Sequence, residues 1–355
     1  MKKHNFSAGP CILAPEVING ASKAVLDFNE MNLSLLEISH RDKNFVEVMD
    51  EARELSKELM CLDEDFEVLF LQGGASLQFC MAPYNYMNEK GKAGYLITGT
   101  WAKKAAAEAS LFGEIENIGS SEDKNFNYIP TKLNIGNELD YFHCTSNNTI
   151  VGTQIKKFPE CKVPLICDMS SDIFSRNIDF NQFSMIYAGA QKNLGPAGAT
   201  LVAVRKSGLG KTLRQLPSIL DYRKHIKSES MFNTPPVFSI YTSLLSLRWM
   251  KKEGGLDVIE KRNDLKANFI YKEIDRNNLF SGTANFEDRS TMNACFLLHN
   301  ESLKEKFNTL CKEAGITGIN GHRSVGGYRA SMYNALPLGS VETLVDVMKH
   351  LEKIS

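Results

Sequence analysis

The 355-residue chain has no uninterrupted apolar run approaching the ~18 residues that a membrane span requires. The opening MKKHNFSAGP carries two lysines with no apolar stretch behind them, so it does not read as a secretory leader. Charge of one sign is also lacking: 41 Lys and Arg balance 42 Asp and Glu, for a formal net charge of -1. Nothing global therefore draws the chain to nucleic acid or to an anionic membrane, and any anion recognition has to be local. Eight cysteines are scattered without a CxxC pair or a small secreted framework, which points to reduced, mostly buried thiols in a cytoplasm. There is no Pro/Ser-rich hinge, low-complexity linker or internal repeat, so a domain boundary has to be read from the order of elements. No GxGxxG follows a strand. Gly210-Lys211-Thr212 fails as a nucleotide loop because Arg205 stands where the motif needs its first glycine, and it reads as a surface turn.

What is present is an alternation. Short apolar runs recur at Phe66 to Leu71, Gly94 to Ile97, Leu165 to Cys167, Met185 to Tyr187 and Ala199 to Val204, with helix-like segments between several of them. That order predicts an α/β fold with a mostly parallel sheet covered by helices. Beyond about residue 255 the pattern restarts: a long helix, the strand TMNACFLLH, a helix, the segment HRSVGGYRASMYNA and a last helix. The middle helix begins with Ser302 and Glu305 in capping-box register. The expected division is a large domain over residues 16–254 and a smaller C-terminal α/β domain over 255–355, joined by the N-terminal segment 1–15.

The chemistry sits at strand ends. Asp168 closes the run PLICD and Lys192 follows the run MIYAGA, each at or just beyond the carboxyl end of a strand, the edge where open α/β sheets bind ligands. Lysine forms Schiff bases with carbonyls, and a carboxylate opposite a pyridine nitrogen completes a pyridoxal-phosphate pattern. Taken alone, the pair is more simply a surface lysine and a strand-end cap. The neighbours change the odds. After FEVLFL comes Gln72-Gly73-Gly74-Ala75-Ser76 at a helix start, where glycines admit close backbone approach, free N–H groups point outward and Ser76 adds a hydroxyl, making an anion cup. Trp101, one of only two tryptophans, lies at the next helix start on the same edge, where an indole can stack on a pyridine ring. The polar cluster Thr145 to Thr149 can donate to ligand oxygens, although such runs are usually loops. Two His-Arg dipeptides, His40-Arg41 and His322-Arg323, with Arg329 beyond the second, suit a dianionic group.

Taken together, FSAGPCILAP, SHRDKNF, LQGGASLQF, GTWAKKA, HCTSNNTIVGTQ, CDMSSD, AGAQKNLGPAG, FNTPP and GHRSVGGYRASMYNA resemble the phosphoserine aminotransferases of the class-V aminotransferase family. The match runs from the first ten residues into the last helix. The resemblance implies the aspartate-aminotransferase-like fold (fold type I), a homodimer with active sites at the subunit interface, and catalysis by pyridoxal 5'-phosphate as a Schiff base on Lys192. Asp168 would then pair with the ring nitrogen and Trp101 would stack on the ring. Ala75, Ser76 and Gln191 would bind the cofactor phosphate, Thr149 would contact the cofactor, and Asn233 and Thr234 would reach the phosphate of the neighbouring subunit's cofactor. Arg329 would take the substrate α-carboxylate, and His40, Arg41, His322 and Arg323 the distal phosphate or carboxylate, some of them across the interface. Phe232, where tyrosine is expected, and Cys11-Ile12-Leu13, where small residues are common, depart from the pattern without removing a catalytic group.

The implied reaction is the reversible transamination of 3-phosphonooxypyruvate with L-glutamate, giving O-phospho-L-serine and 2-oxoglutarate in serine biosynthesis. In pyridoxine biosynthesis, 4-phosphonooxy-threonine is a second candidate substrate. Three rivals share the fold: an alanine-glyoxylate-type aminotransferase, a cysteine desulfurase and a catalytically silent binding protein. A methyl side chain needs no paired His-Arg units, and no cysteine sits in a persulfide-carrier motif. Retention of Lys192, Asp168 and Trp101 together counts against a silent protein.

Overall fold

The computed structural model describes residues 3–355; Met1 and Lys2, which open the segment assigned above to the small domain, lie outside the described residues. Seven strands form the main sheet: β1 (Phe66–Leu71), β2 (Lys92–Ile97), β3 (Glu114–Ser120), β4 (Tyr141–Thr145), β5 (Leu165–Asp168), β6 (Met185–Gly189) and β7 (Thr200–Arg205). Their spatial order is β1-β7-β6-β5-β4-β2-β3. Only β7 runs antiparallel to its neighbours, while β6, β5, β4, β2 and β3 pair in parallel, as the alternating pattern requires.

Helices cover both faces, which is why strands such as β4 to β6 are buried throughout. On one face lie α1 (Pro15–Leu26), α2 (Lys43–Leu59) and α5 (Val237–Lys252), packed on one another over Phe45, Phe66, Phe142, Phe183 and Leu244. On the other lie α3 (Gly74–Tyr86) and α4 (Thr100–Ala109), over Phe79, Tyr95, Tyr141, Ile166 and Tyr187. The seven strands therefore present all their carboxyl-end loops, β7 excepted, to one edge.

Past α6 (Leu256–Arg276), the strands β8 (Phe280–Gly282), β9 (Asn293–Leu298) and β10 (Tyr328–Ser331) make a three-stranded antiparallel sheet in that order. It packs with α6, α7 (Lys304–Glu313) and α8 (Leu338–Lys353) around its own core. Phe307 stands edge-on to Tyr328 with ring centroids 4.8 Å apart, and truncating such a buried ring costs roughly 3–5 kcal/mol. The N-terminal segment joins this unit: His4–Asn5 pairs in parallel with Ile316–Thr317, and Phe6 and Ile12 enter the same core. Among the described residues, no helix is long and apolar enough to cross a membrane.

One local expectation needs correction. The turn before α7 is capped by Asn300, whose side chain accepts from the Ser302 N–H, and α7 starts at Lys304; the Ser302/Glu305 box does not form because a 3-10 turn over Glu301–Leu303 comes first. The polar cluster Thr145 to Thr149 is buried, with Asn147–Asn148 laddered against Thr153–Gln154.

Candidate active site

Three strand ends converge. β1 ends at Leu71, and the turn into α3 places Gly73 at φ +88° and Gly74 at φ +64°, left-handed positions that favour glycine. A Cβ on Gly73 would come within 2.5 Å of the Leu77 side chain. The chain thereby turns sharply enough for the first N–H groups of α3, which have no helical acceptors, to face outward beside Ser76. β5 ends at Asp168, whose carboxylate is buried and accepts from the Ser170 N–H at 2.9 Å. β6 ends at Gly189, and a tight turn follows in which Leu194 and Gly195 both donate to the Ala190 carbonyl, at 3.2 and 2.7 Å. Lys192 sits on that turn. From the far side the N-terminal segment closes over it: Cys11 donates from its N–H to the Gln191 carbonyl, and a Cβ on Gly9 would lie 3.4 Å from Lys192 Cγ.

Between these elements lies a cavity of about 370 Å³. Of the residues singled out above, Ala75, Ser76, Trp101, Thr149, Asp168, Gln191, Lys192, His322 and Arg329 line it. Grooves of about 540 and 590 Å³ elsewhere on the molecule hold no lysine and aspartate facing each other. His40, Arg41, Arg323, Asn233 and Thr234 do not line the cavity of their own chain. Arg41 and Arg323 are exposed, and Asn233 donates to the Gln72 side chain at 3.3 Å. The cavity also takes in Asn147, from the polar cluster expected to donate to ligand oxygens, and Ala8, Gly9, Ser170 and Ser171, to which no role was given from sequence although FSAGP and CDMSSD contain them.

Burial dominates the electrostatics. It raises the Asp168 carboxyl above the usual range, opposed by its bonds to Ser170 and by the Lys192 charge. Burial likewise lowers Lys192, opposed by Asp168 and Asp172. Asp172 is itself held by Ser146, by Gln154 Nε2 at 3.1 Å and by Arg176 at 3.3 Å. Arg329 donates through Nη1 to the Thr149 carbonyl at 3.0 Å, while its buried Nε has no partner among the described residues.

This donor set fits a phosphorylated pyridine aldehyde. Among the described residues, the buried Asp168 carboxylate has no cation in ion-pair contact, and it suits a protonated ring nitrogen. The glycine cup at the start of α3 suits the phosphate, and the depressed amine of Lys192 suits a carbonyl carbon. The orphaned Arg329 Nε, in turn, is a donor available to a substrate carboxylate.

Residues 3–344 match the family described as aminotransferase class-V. Over 353 residues, covering 99% of each chain, this one is 63% identical to the phosphoserine aminotransferase of Flavobacterium psychrophilum. Among solved structures it is similar to phosphoserine aminotransferase from Bacillus circulans subsp. alkalophilus, at 42% identity and a TM-score of 0.96 over 99% of both chains. It is also similar to the pyridoxal-phosphate-bound phosphoserine aminotransferase from Trichomonas vaginalis, at 35% identity and a TM-score of 0.93 over 98% of this chain and 100% of that one. With that span matched and relatives of this identity along its whole length, the chain belongs to the class-V aminotransferase family.

Proposed function

We propose that this chain is a phosphoserine aminotransferase, exchanging an amino group between L-glutamate and 3-phosphonooxypyruvate with pyridoxal 5'-phosphate bound at Lys192. The observation that carries the reading is the meeting of Lys192, Asp168 and Arg329 in one cavity beside a glycine-built anion cup. When bound, pyridoxal phosphate supplies a carbonyl that condenses with amines and a ring that accepts the electrons released at the substrate Cα.

The residues divide the remaining work. Lys192, poised toward its neutral amine by burial, would take the proton from the substrate Cα and deliver it to the exocyclic carbon that pyridoxal phosphate supplies. Asp168 holds the proton on the ring nitrogen, and Trp101 covers the ring face. Ala75, Ser76 and Gln191 bind the phosphate, with Thr149 beside them. Arg329 binds the α-carboxylate common to both amino donors, and His322 meets the distal anion.

His40, Arg41, Arg323, Asn233 and Thr234 stand outside their own chain's cavity, which supports a homodimer in which some of them complete the partner's site. The reading further includes serine biosynthesis in the cytoplasm, 4-phosphonooxy-threonine as a second substrate, and a division into residues 16–254 and 255–355 with 1–15. The separate three-stranded sheet and the pairing of His4–Asn5 with Ile316–Thr317 support that division. An alanine-glyoxylate-type activity is the alternative, and it leaves His322 in the same cavity as Arg329 without purpose.

The deciding experiment is the visible absorption spectrum of the holoenzyme before and after O-phosphoserine, with alanine as control. Bleaching by phosphoserine alone is expected. Equal bleaching by alanine would overturn the substrate, and a protein that cannot be reconstituted with pyridoxal phosphate would overturn the enzyme.

A further inference from the structure

We infer that Asn293 is a positioning residue for substrate binding: it fixes the spacing between the 147–149 segment and β10, and so sets where Arg329 points. The inference rests on the role of Arg329 proposed above.

Asn293 opens β9, is completely buried at 0% exposure, and lies in register beside Ser331, two residues along β10 from Arg329. Its amide uses both ends across the boundary between the two sheets. Oδ1 accepts from Asn147 Nδ2 at 2.8 Å, while Nδ2 donates to Ser331 Oγ at 3.0 Å and to the Tyr333 hydroxyl at 3.4 Å. Asn147 is in turn tied to the cofactor edge by its bond to Ser171 Oγ at 2.8 Å. Two residues on, the Thr149 carbonyl accepts from Arg329 Nη1.

The same two segments are thus joined by two struts, Asn147–Asn293–Ser331 and Thr149–Arg329. Between them the backbones nearly touch: Gly152 sits at φ +85°, a Cβ there would come within 2.6 Å of the Asn293 carbonyl, and the Ser290 N–H donates to the Gly152 carbonyl at 2.8 Å. A guanidinium has fixed N–H directions, so sliding β10 against Thr149 turns the free donors of Arg329 away from a carboxylate. An apolar side chain at position 293 would fill the boundary yet specify no register, whereas a fully satisfied buried amide specifies one.

In Asn293→Ala the KM for glutamate and that for O-phosphoserine should rise by a common factor of about tenfold, with kcat falling by less than about threefold. The factor is common because the two donors share the α-carboxylate and differ only at the distal group. A merely structural role would lower the melting temperature and leave both KM values in place, and that result overturns the inference. Should Asn293→Ala fail to fold, Ser331→Ala removes only one acceptor; both KM values should then rise about threefold, and no change overturns the inference. Arg329→Lys separates the two levels of the reading. If that variant leaves both KM values unchanged, the role of Arg329 fails; if it raises both while Asn293→Ala raises neither, only the positioning role fails. In the double variant, the loss should barely exceed that of Arg329→Lys alone, and a full product of the two single losses overturns the coupling.

Discussion

The thiol of Cys11 donates to the backbone carbonyl of Lys192 across 2.6 Å, so the segment that closes the site is bonded to the residue that carries its chemistry. Burial pushes this thiol up to about 12, even though the Lys192 charge pulls the other way. Cys11 is therefore expected to resist alkylation of the folded protein at pH 8, while the exposed Cys61 reacts. Peptide mass spectrometry after iodoacetamide reads this out; rapid labelling of Cys11 ahead of Cys61 would contradict it.

Lys192→Ala removes the group that moves the Cα proton and leaves the phosphate cup and Asp168 in place. Turnover is expected to fall by at least about a thousandfold while pyridoxal phosphate still binds noncovalently, read by steady-state assay and by equilibrium dialysis. Substantial transamination by this variant would remove Lys192 from its assigned role.

Lys266 is a second buried lysine, and it makes the fold sensitive to pH. Its Nζ donates to the Met332 and Tyr333 carbonyls at 2.9 and 2.8 Å, and burial lowers it from 10.5 to about 7. In the unfolded chain it keeps its proton up to its ordinary value, so between pH 7 and that value the unfolded state binds more protons and rising pH favours the fold. The stability of the native protein relative to Lys266→Met should increase as pH rises through this window, followed by thermal melts. A gap between the two that does not move with pH would rule the effect out.

Arg41 does not line the active-site cavity of its own chain, so its contribution should be made in trans. Mixing inactive Lys192→Ala with Arg41→Ala subunits is expected to restore activity, because some hybrid dimers pair an intact lysine with the partner's intact arginine. Arg41→Ala alone should impair glutamate and O-phosphoserine alike. Failure of subunit mixing to restore any activity, with exchange verified by a tag, would place Arg41 elsewhere.

The elements legible in the sequence were those that burial writes as unbroken apolar runs. β1 and β5 to β7 read directly because helices cover both of their faces. β3 did not: it is the sheet edge, half exposed along its length, and Glu114, Glu116 and Asn117 break any apolar signal. β4 was hidden by the polar residues after it, whose burial depends on partners distant in sequence, such as Asn293 for Asn147. Within the site, Lys192, Asp168 and the glycine cup could be found from strand ends and backbone chemistry. Asn233 and Thr234 had no local signal, and they came only from resemblance. Ser170 and Ser171 lay in a noticed string yet drew no role, because a serine's use is set by what faces it.

The pairing of His4–Asn5 with Ile316–Thr317 has a consequence for how the protein comes into being. Ala8 and Gly9, which line the cavity, belong to a segment that is made well before the strand Ile316–Thr317 on which it docks. The large sheet can collapse while synthesis continues, but the pocket cannot close until Ile316–Thr317 is made and His4–Asn5 pairs with it. Such a long-range closure is slow, and assembly of a competent site should therefore be a late event of folding, trailing the gain of secondary structure.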